Sequence, residues 1–285
     1  MSLKTSLAGA LSADLLPRTL SGVVMIAAAL GALWAGGLVF TIFWVLCAGA
    51  IIYEWQTLIG GPARWSRIGL GIACMGSAVI GLRLGLPELL FGASLLGIAG
   101  AAALAGPGLR IWAGAGVLYA LCLVLSVVLL RVSSALDGLE AILWIFAVVW
   151  GTDIMAYFGG RLIGGPKLWP RVSPSKTWSG FITGVTCGAL LGVATVAGAL
   201  GSAQTHFLII FIVGVAGGVV AQAGDLLESS IKRHFGVKDS SHLIPGHGGF
   251  MDRLDGFIVT ATFAALLGLA KAAGPGFVAT GLLRW

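Results

Sequence analysis

The sequence predicts an all-α, polytopic integral membrane protein of about nine transmembrane helices, and three observations carry that prediction. Only 10% of its 285 residues are charged and 58% are hydrophobic, with a mean hydropathy of +1.01, whereas a water-soluble domain carries about a quarter charged residues. Apolar runs of the roughly 20 residues needed to cross a bilayer recur along the whole chain. The charges fall between those runs rather than along one polar face, so the formal net charge of +6 does not describe a nucleic-acid-binding surface.

The expected spans lie near residues 19 to 35, 38 to 58, 68 to 85, 87 to 106, 111 to 131, 139 to 160, 178 to 200, 205 to 227 and 255 to 273. Lys4, Asp14 and Arg18 precede the first run, which has no clear cleavage site and reads as a retained span. The 45 glycines suit close helix packing, and the 10 tryptophans suit anchoring at membrane interfaces. Glycine-rich spans also suit a homodimer. Cys47, Cys74, Cys122 and Cys187 all sit within apolar runs without CxxC spacing, and so read as small buried hydrophobes.

Placing the N-terminus in the cytoplasm puts Lys4, Arg18, Arg64, Arg67, Arg110, Arg161, Lys167, Arg171, Lys176, Lys232, Arg233, Lys238 and Arg253 on the inner side. Arg83, Arg131, Lys271 and Arg284 fall on the outer side. This division, 13 against 4 of the 17 basic residues, obeys the positive-inside rule. It makes both long polar connections cytoplasmic. The first, near 159 to 177, reads GGRLIGGPKLWPRVSPSKT; the second, near 225 to 255, holds five of the 11 acidic residues. The expected division is into N-terminal helices over 1–137 and C-terminal helices over 138–285, the latter carrying the candidate catalytic site.

The chemistry concentrates in those connections. Asp225 and Glu228 are three residues apart and share a helix face, and Asp252 and Asp255 repeat that spacing. Four carboxylates at facing helix ends can converge on a hard divalent cation, since magnesium takes one or two carboxylates together with substrate phosphates. As isolated residues they would read as helix caps paired with Lys232, Arg233 or Arg253. Lys232, Arg233 and Lys238 can neutralise phosphate oxygens, and the GHGG run His247, Gly248, Gly249 after Gly246 would let backbone N–H groups approach an anion. His247 suits a proton-transfer role or a hydrogen bond to phosphate or loop backbone. His234 and His242 match no ligand spacing. Ser173, Lys176 and Thr177 precede a helix, where they suit either capping or anion binding. Asp153 lies within an apolar span, where an ionisable group is a functional candidate, by ion passage, substrate binding or pairing with Arg161. Glu54 and Glu88 read as interface residues at span ends.

The stretch SSIKRHFGVKDSSHLIPGHGGFMDRLD, from Ser229 to Asp255, closely resembles the signature of the phosphatidate cytidylyltransferases. The positions that match are Ser229, Lys232, Arg233, Lys238, Asp239, Pro245, His247, Gly248, Gly249, Asp252, Arg253 and Asp255. Upstream, Gly224 and Asp225, then Asp153, Ala156, Tyr157, Gly160 and Arg161, then Ser173, Pro174, Lys176 and Thr177 extend the resemblance over about the C-terminal half. Two positions depart from it: the family often has lysine where Ser175 stands and glutamate where Ser179 stands.

The resemblance implies an inner-membrane enzyme that converts CTP and phosphatidic acid to CDP-diacylglycerol and pyrophosphate, with the acyl chains entering sideways from the bilayer. It implies a magnesium cofactor held by Asp225 and Asp252, with Asp255 and Asp239 close behind, and leaves open a second, monovalent cation. It implies phosphate contacts from Lys232, Arg233, Lys238 and Arg253, and from Ser173, Lys176 and Thr177. Two other classes compete: a CTP-dependent kinase of a lipid alcohol, and an ion-coupled transporter suggested by Asp153. Transporters place such charges near the midplane in paired halves, whereas here they gather at one end.

Overall fold

The computed structural model describes residues 3–133, 135–200, 206–272 and 274–285, with side chains described from residue 19 onward except at 135, 199 and 200. Among the described residues, nine helices of 18 residues or more follow one another: α1 (Leu3–Ala35), α2 (Gly37–Ile59), α3 (Arg64–Leu84), α4 (Pro87–Leu104), α5 (Arg110–Val132), α6 (Ala135–Ile163), α7 (Trp178–Leu200), α8 (Phe207–His234) and α9 (Met251–Lys271). A hairpin of β1 (Lys167–Trp169) and β2 (Ser173–Thr177) joins α6 to α7, and a short α10 (Val278–Leu283) ends the chain.

Eight of these helices, α2 to α9, are long and apolar enough to cross a membrane. The other expected span, 19 to 35, coincides with the shorter apolar stretch Thr19–Ala35 of α1. Positions 205 and 273, which bound two expected spans, lie outside the described residues, as do the side chains of Lys4, Asp14 and Arg18.

Turn chemistry sets the reversal between α3 and α4. Gly85 adopts a left-handed conformation (φ 67°) and passes the chain off α3, with backbone bonds back to the Gly81 and Leu82 carbonyls. Pro87 then opens α4 in its first turn, where a missing N–H costs nothing.

Packing between α6 and α7 depends on glycine. A Cβ at Gly184 would stand 2.6 Å from the Thr152 carbonyl and 2.8 Å from the Ala156 Cβ, and one at Gly188 would stand 2.7 Å from the Val148 carbonyl. The two backbones therefore touch, as lipid-embedded helices do where small residues line the seam. Farther in, the Trp44 ring of α2 stacks on Phe257 of α9 at 4.9 Å, and Phe257 meets Phe146 of α6 at 5.3 Å. That aromatic column ties the N-terminal helices to the C-terminal ones.

The four basic residues assigned to the outer side lie together at one end of the bundle. Arg83 and Arg131 reach carbonyls at the α1–α2 junction. Arg284 pairs with Asp137 at 2.7 Å, and Lys271 stands 3.0 Å over the Trp285 ring. Thr280 donates to the same Asp137, which pins α10 against α6.

Two expectations are corrected at the opposite end. The stretch from Asp225 is not a loop: α8 runs on to His234 and α9 begins at Met251, so Lys232 and Arg233 are helical and the connection shrinks to 235–250. Ser173 to Thr177 is a paired strand rather than the irregular lead-in to a helix. In both places the polar backbone, which lipid cannot satisfy, closes its own hydrogen bonds.

Replacing Gly184 with leucine drives a side chain into the α6 backbone and is expected to destabilise the protein by at least ~1–3 kcal/mol. Gly198→Ala, where nothing stands within 4 Å of the added carbon, should leave the thermal midpoint of detergent-purified protein nearly unchanged.

Candidate active site

At the end of the bundle away from Arg284, helices α6 to α9 and the hairpin line a cavity of about 600 Å³. Its walls carry Asp153, Asp225, Asp252 and Asp255, faced by Arg161, Lys167, Lys176 and Arg253. Membrane helices tolerate so many charges only around a polar cavity where they find partners.

The hairpin carries one partner in. Strand β2 pairs with β1 through Trp169 with Ser173 and Lys167 with Thr177, and Thr177 caps α7 by accepting the Gly180 N–H at 3.2 Å. Ser179 Oγ donates to the Gly164 carbonyl and also lies 3.1 Å from Thr177 Oγ1, which fixes the hairpin to its helix. Lys176 thus projects to Asp225 Oδ2 at 2.6 Å and to Gln222 Oε1 at 2.9 Å. Gln222 Nε2 donates in turn to Asp153 Oδ1 at 3.3 Å. Asp153 is therefore partnered by Gln222, while Arg161 turns to the Tyr157 hydroxyl at 2.8 Å.

Asp252 forms the second focus. Its Oδ1 receives Lys232 Nζ at 2.8 Å, and Lys232 also pairs with Glu228 at 2.7 Å, one helical turn away. Its Oδ2 accepts the Gly249 N–H at 2.8 Å, the Ser240 N–H at 3.0 Å and the Ser240 hydroxyl at 3.0 Å. Asp252 thereby holds α8, α9 and their connection to one another.

The remaining expected site residues divide. Asp255 lines the cavity, and its Oδ1 accepts the N–H of Gly256 at 2.7 Å. Asp225 Oδ1 also accepts the Ser229 hydroxyl at 3.3 Å. Arg253 lines the cavity while its Nε donates to the His247 carbonyl at 2.9 Å. The His247 ring turns away, to Ser21 of α1 at 2.7 Å. Arg233, Lys238, Asp239 and Ser173 are not among the lining residues. The GHGG run is a tight turn, with Gly246 and Gly248 at φ 75° and 80°. Its outgoing N–H groups do not point at open space: Gly249 donates to Asp252, and Phe250 and Met251 donate to Glu54, each at 2.8 Å.

Glu54, assigned from sequence to the interface, is fully buried (0% exposed) beneath this turn. It comes from α2, about 190 residues away along the chain, and only its place inside an apolar span could have marked it. Gln222 was likewise missed, being a neutral residue within an apolar run.

The arrangement sets hard oxygen donors against cations in one open-sided cavity, which suits binding a polyphosphate with a divalent cation. Among the described residues, no group of three or more histidine, cysteine, aspartate or glutamate side chains converges to hold a metal by itself. A cation here would complete its shell with substrate oxygens.

Comparison with known proteins agrees with this chemistry. Residues 16–270 match the model of the cytidylyltransferase family. A phosphatidate cytidylyltransferase of Brucella abortus is 40% identical over 262 residues, covering 90% of this chain and 93% of that protein. The enzyme of the same name from Brucella suis shows the same identity and coverage. One from Staphylococcus haemolyticus is 45% identical over 122 residues, 43% of this chain and 46% of its own length. The match across nearly the whole chain shows that this protein belongs to the cytidylyltransferase family.

Proposed function

We propose that the protein transfers the cytidylyl group of CTP to phosphatidic acid, releasing pyrophosphate and leaving CDP-diacylglycerol in the bilayer. The observation that carries this reading is the cavity of about 600 Å³ in which Asp153, Asp225, Asp252 and Asp255 face Arg161, Lys167, Lys176 and Arg253. The names of its relatives support the substrates.

In this reading a phosphate oxygen of the lipid attacks the α-phosphorus of CTP. The new P–O bond forms as the bond from that phosphorus to the α,β-bridging oxygen breaks, and the electron pair leaves with pyrophosphate. The attacking oxygen is already anionic, so no side chain need accept a proton. Phosphoryl chemistry of this kind asks the protein mainly for positioning and charge neutralisation. Lys176, Arg161, Lys167 and Arg253 take the phosphate oxygens, and Lys176 can leave Asp225 for them by rotating its flexible stem. Lys232 keeps Asp252 in place.

Magnesium fits the oxygen-only donors of the cavity, and when bound it neutralises the triphosphate and helps pyrophosphate depart. Asp225 and Asp255 would hold it, with Asp252 joining if it gives up a bond to Lys232 or Ser240. Tyr157 lines the cavity and is itself exposed on α6 beside the exposed Ile154 and Phe158. That edge gives the acyl chains a way in from the lipid. An inner-membrane enzyme with this end facing the cytoplasm is part of the same reading, supported by the excess of basic residues at this end.

The test is purified protein in phosphatidic-acid vesicles with CTP labelled on its α-phosphate. Label should enter the lipid fraction, stop on chelation and resume on adding magnesium. Asp225→Asn should lower turnover about 10²–10³-fold, the cost of losing one preorganised electrostatic contact. Release of CDP with an added polyprenol, and no lipid label, would replace the proposal with a lipid kinase.

In the same assay Lys176→Met should raise the KM for CTP by about 10-fold or more, since a charged hydrogen bond to phosphate is worth ~1.5–3 kcal/mol. An unchanged KM would remove Lys176 from the phosphate contacts.

A further inference from the structure

We infer that Glu54 is a positioning residue for the reaction, acting through Ser240 and the turn before α9 to fix the geometry of Asp252. The inference rests on the catalytic reading of the cavity given above.

A buried carboxylate is costly unless cations or several hydrogen bonds compensate it. Glu54 is in none of the ion pairs among the described residues. Three donors serve it instead, and the Ser240 hydroxyl stands beside it. Oε1 accepts the Ser241 hydroxyl at 2.6 Å and the Phe250 N–H at 2.8 Å; Oε2 accepts the Met251 N–H at 2.8 Å and faces the Ser240 hydroxyl at 3.3 Å. All four groups belong to the α8–α9 connection or the first residue of α9. The carboxylate thus satisfies N–H groups that begin a helix and have no partner within it.

Ser240 makes the link to the cavity. Its hydroxyl carries one proton and stands between two carboxylates, 3.0 Å from Asp252 Oδ2 and 3.3 Å from Glu54 Oε2. Whichever oxygen takes that proton, the other carboxylate is held at its distance by the backbone N–H groups around it. Gly249 lets them approach: a Cβ there would collide with Ser240 Oγ and stand 2.6 Å from Glu54 Oε1. This glycine therefore serves the Glu54 carboxylate directly.

The helix that carries Glu54 is tied to its neighbour. Next to Glu54, Trp55 donates to the Trp112 carbonyl at 2.8 Å, and Gln56 donates to the Ala113 carbonyl at 2.8 Å. Consecutive side chains of α2 thereby lock the helix to α5 while Glu54 reaches the turn. Glutamine cannot replace it, because its NH₂ group would face donors on one side.

The test uses full-length protein in one detergent or bilayer, with Glu54→Gln, Ser240→Ala, the double variant and Asp225→Asn. Hydrogen exchange over 239–251 without nucleotide or metal reads the turn itself, and Glu54→Gln should speed exchange at residues 249–251 by at least ~10-fold. Its kcat should fall about 100-fold, as a misplaced reactive geometry costs, with the KM for CTP within about threefold. Ser240→Ala should lower kcat about 10-fold, and the double variant should be no worse than Glu54→Gln alone.

Wild-type turnover in Glu54→Gln, turnover loss with unchanged exchange, or additive losses would each overturn the proposal. If Glu54→Gln does not fold, Ser240→Ala with wild-type exchange and kcat would overturn it alone. Full activity in Asp225→Asn would instead remove the cavity reading and leave the exchange result standing.

Discussion

The wall of the cavity formed by α8, α9 and their connection depends on one carboxylate. Asp252 is bonded at once by Lys232 from α8, by Ser240 and Gly249 from the connection, and through its own backbone by α9. A charge this close to lipid persists only when it is paired and hydrogen-bonded on all sides. Removing it would leave Lys232 to Glu228 alone and take away one of the two carboxylates that hold the turn before α9. The cavity wall is thus a consequence of satisfying a buried charge, and its remaining carboxylates, Asp225 and Asp255, are placed by the helices that Asp252 joins.

The opposite wall is built differently. The α6–α7 seam is closed by glycines at van der Waals contact with backbone, so the two helices act as one slab. The hairpin at its end is short, capped by Thr177 and fastened by Ser179 to the Gly164 carbonyl. Lys176 is therefore presented on a stiff backbone with a flexible stem, which suits a cation that must exchange a carboxylate for a phosphate. Ser179 thus fastens the hairpin to α7.

Much of this was legible in the sequence. The apolar runs gave the helices to within a few residues, except where charged turns extend them, as Lys232 and Arg233 extend α8. The carboxylates at 153, 225, 252 and 255 stood out because lipid-embedded sequence has almost no acids. What stayed hidden was long-range. Glu54 looked like a span-end acid because nothing local to α2 reveals the N–H groups of Phe250 and Met251. Gly249 looked like a phosphate-approach glycine, because a glycine-rich turn reads the same whether an anion comes from substrate or from a glutamate. His247 looked catalytic from its neighbours, and only the fold brings Ser21 to its ring.

The most direct test of the central claim is an experimental structure of the protein in lipid with manganese and a non-hydrolysable CTP analogue. The account predicts an anomalous manganese peak inside the cavity, bonded to Asp225 and to phosphate oxygens, with Lys176 moved from Asp225 onto the nucleotide. A nucleotide bound elsewhere, or a metal held away from Asp225 with the Lys176–Asp225 pair intact, would contradict it.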